Sequence, residues 1–179
     1  IKIGLLLLQA PHQTEINQNE KTNELIKSVD ELIQSLRKIA THLRPGILDS
    51  LGLIPSIEWL AKEFEKKTAI KCDLEINSNE ERFEKNISTC FFRICQESLT
   101  NIFKHAQANH VVIEATKNNN ELLLKVTDNG KGITSEKLEN PFSMGLLGMR
   151  ERANIIGADL QITSKKDQGT IVQLKVNIN

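Results

Sequence analysis

The sequence predicts an α+β fold, in which a sheet of about five strands carries helices on one face. Three observations lead to this prediction. Apolar residues repeat with the spacing of a helix bundle over residues 19–43. Alternation with a period of two, typical of half-buried strands, begins at Ile70 and recurs to the end of the chain. One long amphipathic helix is predicted over residues 85–107, between the first two strands.

Residues 1–44 are predicted to be helices of a dimerisation bundle. Residues 1–8 are apolar apart from Lys2, with no polar lead-in and no initiator methionine, and we interpret them as the end of a helix cut from a longer chain. In residues 19–43 the apolar stripe is too wide for one partner helix to bury, so a dimeric four-helix bundle is favoured. The alternative is that the stripe packs on the rest of this chain. Its seam consists of Leu25, Val29, Leu32, Leu36, Ile39 and Leu43.

Residues 45–69 are predicted to connect the bundle to a second domain. Pro45 and Gly46 end the bundle helix. Residues 45–52 are interpreted as a linker, and a second helix is predicted to start at Pro55. The buried face of that helix would consist of Ile57, Leu60, Ala61 and Phe64.

Residues 70–179 are predicted to form the α+β sandwich. After the strand at Ile70 and the helix 85–107, a hairpin is predicted over residues 111–126 with its turn at 118–120. Residues 134–145 are predicted to be irregular, and a helix is predicted from about 146 to 156, ended by Gly157. The last two strands are predicted around residues 160–162 and 170–176.

Composition excludes several classes of protein. The 23 basic and 23 acidic residues cancel, so bulk charge would attract neither nucleic acid nor acidic lipid. The longest apolar run, residues 5–8, is too short to cross a bilayer. Three cysteines are too few for a disulfide framework and indicate a reducing, cytoplasmic compartment.

The polar face of the helix predicted over residues 85–107 carries Glu97, Asn101, Lys104 and His105. On a helical wheel these residues lie opposite the apolar side chains of the same helix. The alternative is a solvated polar face, and for this helix taken alone that interpretation is favoured.

Residues 128–133, with the sequence DNGKGI, follow the strand that ends near Thr127. Two glycines there allow a tight turn and the close approach of a ligand. The carboxylate of Asp128 could accept a hydrogen bond from the amine of adenine and would repel the carbonyl of guanine. A type I′ hairpin turn at Asn129 and Gly130 is an equally weighted alternative.

Two further glycine segments follow. Gly145 and Gly148 open the next predicted helix, where free amides and the helix dipole favour phosphate, although a flexible loop before a helix would look the same. Gly169 and Thr170 begin the last strand, where a glycine often marks a bulge.

In their order and spacing, these four segments resemble the nucleotide-binding boxes of the Bergerat-type (GHKL) ATPases, which include gyrase, Hsp90, mismatch-repair ATPases and sensor histidine kinases. This resemblance covers residues 70–179. Residues 43–53, with the sequence LRPGILDSLGL, resemble the linker of one subfamily of sensor histidine kinases, which is paired with response regulators carrying helix-turn-helix output domains. Residues 93–106 and 145–152 are similar to the same subfamily, so the resemblance extends over nearly the whole chain.

The resemblance implies that the chain binds ATP and Mg²⁺. Asp128 would hold the adenine amino group with Thr170 nearby, and Asn101 would ligate Mg²⁺ through its amide oxygen. Glu97 would orient or deprotonate a nucleophile, and residues 134–147 would form a lid. The other implied nucleotide-binding residues are Lys104, His105, Gly130, Gly132, Ile133, Gly145, Leu147, Gly148 and Met149.

One departure from the family pattern concerns the phosphoacceptor. The family's acceptor is a histidine followed by an acid, and none of the four histidines fits: His12, His42, His105 and His110 precede Gln13, Leu43, Ala106 and Val111. The resemblance therefore implies an acceptor upstream of Ile1, in a homodimer that signals to a response regulator without contacting nucleic acid or membrane. The rival interpretations are an ATPase clamp of the same superfamily and a non-catalytic, nucleotide-sensing dimerisation module.

Overall fold

A computed structural model describes residues 46–77, 82–134 and 143–178, which lie within one compact unit beginning at Gly46. The predicted bundle of residues 1–44 lies outside the described residues. Along the described part the elements are α1 Gly46–Leu51, α2 Leu53–Thr68, β1 Lys71–Asn77, α3 Lys85–Asn101, a π-helical turn Ile102–Ala106, β2 His110–Asn118, β3 Glu121–Asp128, α4 Met144–Ile155, β4 Asp159–Ser164 and β5 Thr170–Asn177.

The five strands form one mixed sheet in the order β1-β2-β3-β5-β4. The first two strands are parallel, and every other neighbouring pair is antiparallel. Because β2 and β3 are joined by a two-residue turn at Asn119 and Asn120, the sheet contains the predicted hairpin. This arrangement confirms the predicted α+β class with about five strands.

One face of the sheet is buried and the other is polar. Alternate residues of β2, β3 and β5 face the helices and are at most 8% exposed, in a core that includes Val111, Ile113, Leu124 and Leu174. The opposite face carries ion pairs between neighbouring strands, such as Lys125 with Glu114 at 2.6 Å. This two-faced pattern is what period-two alternation predicts for a sheet covered on one side.

Helices α1 and α2 pack into the same core as the sheet. Leu48 of α1 and Ile57 of α2 are 3% and 0% exposed and belong to the cluster that contains Phe91. Helix α2 ends at Ala69, which has a φ of 59° and donates its N–H to the Glu65 carbonyl at 2.9 Å. The stretch interpreted as a linker therefore contains a helix packed on the following domain, although the three-part division of the chain stays a prediction.

The three cysteines are free thiols, as the sequence predicts. Burial raises the pKa of Cys72 and of Cys90 to about 11, and it raises the pKa of the fully buried Cys95 as well. All three therefore stay protonated at neutral pH and act as small apolar side chains. Within the described ranges, the structure has no helix with the length and apolar character that a membrane crossing requires.

Candidate functional site

A cleft of about 610 Å³ opens at one end of the sheet, where α3 with its π-helical turn, α4 and the β4–β5 hairpin converge. Nine of the residues predicted from the sequence to bind nucleotide or metal line it, and they come from all four predicted segments. These residues are Asn101, Lys104, His105, Asp128, Gly132, Ile133, Gly145, Met149 and Thr170.

Asp128 lies at the buried end of the cleft. It is the last residue of β3, is only 4% exposed, and accepts the Gly130 N–H at 2.7 Å through Oδ1. Burial raises the pKa of Asp128 above its ordinary value, while hydrogen bonds from the Gly130 backbone and from the backbone and hydroxyl of Thr170 oppose that shift. A buried carboxylate of this kind gains from a ligand that brings a further hydrogen-bond donor.

Gly169 allows Asp128 and Thr170 to approach each other. Gly169 has a φ of +82°, and a Cβ added to it would collide with the backbone carbonyl of Asp128. A side chain at this position would push β5 away from the end of β3, so the close approach of the two strands requires glycine. The bulge that the sequence suggests at Gly169 stays a prediction, because the requirement for glycine is explained by this contact.

The DNGKGI segment is held on both sides. Gly130 packs against Ala106 of the π-helical turn, and Lys131 donates its N–H to the Ala106 carbonyl at 2.8 Å. Asn129 accepts the backbone N–H groups of Asn109 and His110, each at 3.1 Å. In the sheet β3 pairs with β2 and β5, whereas β4, the next strand along the chain, pairs with β5. The alternative of a hairpin turn at Asn129 and Gly130 is therefore wrong.

Helices α3 and α4 meet at the other end of the cleft. A Cβ added to Gly145, in the first turn of α4, would collide with Oε1 of Glu97 and would lie 3.8 Å from Nδ2 of Asn101. Glu97 and Asn101 are half-buried, so this part of α3 is more than a solvated polar face. The segment that begins at Gly145 and the polar residues of α3 therefore meet in space, as the resemblance implies.

Positive charge borders the cleft. Lys104 and His105 are exposed on the π-helical turn, and Lys131 and Lys166 also line the opening. A π-turn shifts the register of a helix, and such turns are frequent at functional sites. The sequence indicated Lys104 and His105 but no role for Lys131, which lies within the DNGKGI segment, or for Lys166, which follows Lys165 in a turn.

Some predicted residues do not line the cleft. Leu147 is 41% exposed, and Gly148 packs beside the guanidinium of Arg152. Glu97 and Gly130 are not on the cleft surface either, but they contact the lining residues Gly145 and Ala106. The roles assigned to these residues stay predictions.

The sequence analysis missed the apolar wall of the cleft. It is formed by side chains that share the core face of the sheet and of the helices: Ile102, Val126, Leu146, Ile162 and Val172. Period-two alternation assigns such residues to a core, but it does not show where the core stops and a cleft begins.

The cleft fits a planar base with an exocyclic amine. An apolar wall suits the faces of the base, and the buried Asp128 suits the amine. For a metal ion, the described residues contain no group of three or more His, Cys, Asp or Glu side chains that could hold it. The Asn101 amide lines the cleft and offers a neutral oxygen of the kind that Mg²⁺ takes as a ligand.

Comparison with known proteins agrees with this geometry. Residues 87–179 match the family described as histidine kinase-, DNA gyrase B-, and HSP90-like ATPase. The chain is 36% identical over 160 residues to the signal transduction histidine-protein kinase/phosphatase DegS of Brevibacillus brevis, covering 89% of this chain and 41% of that protein. It is 35% identical over 173 residues to the oxygen sensor histidine kinase NreB of Staphylococcus carnosus, covering 97% and 49%. It therefore spans less than half the length of these two relatives.

Solved structures share the fold at low sequence identity. The blue-light activated histidine kinase of Erythrobacter litoralis EL346 superposes with a TM-score of 0.64 at 19% identity, covering 95% of this chain and 62% of that one. The catalytic domain of the histidine kinase ThkA superposes with a TM-score of 0.57 at 19% identity, covering 70% and 90%. These similarities support the fold assignment independently of the residues in the cleft.

Proposed function

Since the chain belongs to the family of histidine kinase-, DNA gyrase B- and HSP90-like ATPases, we propose that it is the ATP-binding catalytic region of a two-component sensor histidine kinase. It would bind Mg-ATP in the cleft at the end of the sheet. The γ-phosphoryl group would pass to a histidine and from there to an aspartate on a response regulator. The identity with sensor histidine kinases over 89–97% of this chain supports this choice within the family.

The observation that carries the proposal is the convergence of the four predicted segments on one cleft. Asp128 and Thr170 lie among its lining residues, as do Asn101, Lys104 and Gly145. The Asp128 carboxylate in the cleft can accept a hydrogen bond from a base, and the basic side chains at the opening can contact phosphates. These two features match the base and the phosphate groups of a nucleoside triphosphate.

At the base end, Asp128 would accept a hydrogen bond from the adenine amino group. Gly132 and Ile133 would shape the turn beside the base, and Met149 would contribute to the apolar surface. The raised pKa of the buried Asp128 supports this role, because a new donor from the ligand stabilises the ionised carboxylate that burial disfavours.

At the phosphate end, Asn101 would ligate Mg²⁺, while Lys104 and His105 would contact the phosphates or the sugar. When bound, Mg²⁺ supplies charge neutralisation on the phosphate oxygens. Glu97, one turn before Asn101, would orient or deprotonate the attacking imidazole, and Gly145 leaves room for its carboxylate. Leu147 and Gly148 would contact the nucleotide only if the start of α4 moves toward it.

We propose that the acceptor is a histidine outside these 179 residues, because none of the four histidines precedes an acid. His105 borders the cleft, where it would contact the nucleotide rather than attack in line. His110 lies on the polar face of the sheet with its Nε2 2.8 Å from Oδ2 of Asp73, and it is not among the residues that line the cleft.

The proposal extends to partners and location. Residues 19–43 would form a homodimeric bundle, and the response regulator would carry a helix-turn-helix output domain. The three free thiols fit a cytoplasmic location. Two rivals remain to be tested against it: an ATPase clamp that hydrolyses ATP without transfer, and a non-catalytic dimerisation module that senses nucleotide.

The test is incubation of the chain with γ-labelled ATP and Mg²⁺, alone and with a separate bundle helix that carries a histidine followed by an acid. We expect ATP binding in both cases and acid-labile label only on the added helix. Release of inorganic phosphate without label on the helix would favour the clamp, and binding without either product would favour the sensor. Stoichiometric acid-labile label on the chain alone would refute an external acceptor.

A further inference from the structure

The interface between α3 and α4 brings two arginine side chains, Arg93 and Arg152, to the same level. Two contacts define how the helices are aligned. Gly145 of α4 lies against Glu97 of α3. Seven residues further along α4, the backbone carbonyl of Arg152 accepts the Cys90 thiol at 3.3 Å. The two helices therefore run in opposite directions. Arg93 lies between the two contacts, because residues 90, 93 and 97 share one face of α3.

The guanidinium of Arg152 is turned back along α4. A Cβ added to Gly148, one turn earlier, would lie 3.2 and 3.3 Å from its two terminal nitrogens. This direction is the usual one, because long side chains on a helix point toward its N-terminus. It places the guanidinium between the two helix contacts, at the level of Arg93. The lowered pKa of Arg93, caused first by burial and then by the charge of Arg152, agrees with this placement.

The charge of Arg152 is not balanced by an acid in the described part of the chain. None of the ion pairs between described residues includes Arg152, and its Nε is buried there without a hydrogen-bond partner. Arg93 donates through Nη1 to the Gln96 amide oxygen at 2.8 Å, which holds its guanidinium beside the interface. Both arginines are half-buried, so a ligand can reach them. Guanidinium groups form their strongest hydrogen bonds with carboxylates and phosphates, so this pair is suited to an anion.

The position of the pair excludes the phosphates of the nucleotide as that anion. Arg93 precedes Asn101 by eight residues, which is about 12 Å along a helix. Its side chain also points away from Asn101, toward the N-terminus of α3. A helix that presents its histidine to Glu97 is different, because it would pass Arg93 about one turn further along α3. A carboxylate on that helix is therefore the anion within reach.

We propose that the Arg93–Arg152 pair is a docking site for a carboxylate of the acceptor helix, on a residue three or four positions from the phosphoacceptor histidine. This inference rests on the proposed function. Glu97, which would orient the imidazole, is four residues from Arg93, about 6 Å along α3. Residues three or four apart on a helix packed along α3 are separated by the same distance. Contact with the arginine pair would therefore set the position of the histidine along α3.

The experiment uses three added helices that share the same histidine and following acid. One carries glutamate four residues before the histidine, one carries it four residues after, and the third has glutamine at both positions. Label transfer from γ-labelled ATP is measured against helix concentration to give kcat and KM for the helix. The variants are Arg152→Gln and the matched control Arg150→Gln, an exposed arginine on a different face of α4. Thermal unfolding and ATP affinity are measured for each variant.

We expect one of the two glutamate helices to have a KM about two- to tenfold below that of the glutamine helix, the range of a partly exposed ion pair, with kcat little changed. Arg152→Gln should remove this difference, and Arg150→Gln should preserve it. If Arg152→Gln does not fold, Arg93→Gln decides.

Two results would overturn the inference and leave the proposed function intact. The first is an equal KM for all three helices with the wild type. The second is an advantage of the glutamate helix that persists in the folded Arg152→Gln variant. A wild type that binds ATP but labels none of the helices would overturn the proposed function and the inference together.

Discussion

Gly145→Ala should separate catalysis from nucleotide binding. The added Cβ would collide with Oε1 of Glu97, and it would lie 3.4 Å from Glu97 Cδ. The obstructing atom is the end of a flexible side chain, so the carboxylate can retreat by roughly 1 Å, which restores van der Waals separation. A misplacement of that size at a catalytic group costs on the order of 10²-fold in rate. The fold should not suffer, because alanine is favoured over glycine in a helix by up to about 1 kcal/mol.

The assay is transfer of label from γ-labelled ATP to the added acceptor helix, together with ATP affinity and thermal unfolding. We expect transfer to fall about a hundredfold, with ATP affinity changed little and unfolding temperature equal or higher. Asn154→Ala, at an exposed position of the same helix, controls for helix propensity. Wild-type transfer by folded Gly145→Ala would show that Glu97 needs no defined position, and the role proposed for it would have to be abandoned.

Four further outcomes are expected. Asp128→Asn should lower the affinity for ATP roughly ten- to a hundredfold, which corresponds to the loss of one charge-assisted hydrogen bond. Equal affinity of the wild type for ATP and GTP would contradict the role of Asp128. Burial raises the pKa of Asp128, so its contribution to the free energy of unfolding is present at low pH and is lost as the pH rises through the folded pKa. In denaturant titrations at pH 7, the Asp128→Asn variant should therefore be at least as stable as the wild type. Asn101→Ala should lower the affinity for ATP more in the presence of Mg²⁺ than in its absence. If the two affinities fall by the same factor, Asn101 is not a metal ligand. Changing Leu32 and Leu36 to Glu should abolish self-association through residues 19–43, because it buries unpaired charge; unchanged mass in sedimentation would refute the bundle.

The sheet could be predicted from the sequence because its pattern is simple. Residues 110–116 of β2 and all of β3 alternate between half-buried and buried, and every buried residue except Asp128 is apolar. Helix α1 could not be predicted in this way. It has six residues and buries only Leu48, so it offers no period to detect, and Gly46 at its start resembles a linker residue.

The candidate site was predicted where side-chain chemistry is distinctive along the chain. Asp128 followed by two glycines is such a case, and Asn101 near Glu97 becomes one when the segments are considered together. Ser164, whose hydroxyl accepts the backbone N–H of Ile133, was missed because these two residues are 31 positions apart in the chain. Leu147 was assigned to the nucleotide by family resemblance, but the orientation of α4 leaves it facing solvent.

The strand order has a consequence for how the chain folds. The pairs β2–β3 and β4–β5 are local hairpins, whereas β3 pairs with β5 across a long stretch of sequence. Long-range pairing is the slow part of assembling a sheet. Asp128 belongs to the first hairpin and Thr170 to the second, so the adenine contact proposed for them would form only when the two hairpins have joined. On the proposed function, nucleotide recognition would therefore follow this late pairing, and we expect a bound nucleotide to protect the folded chain chiefly by slowing the separation of β3 from β5.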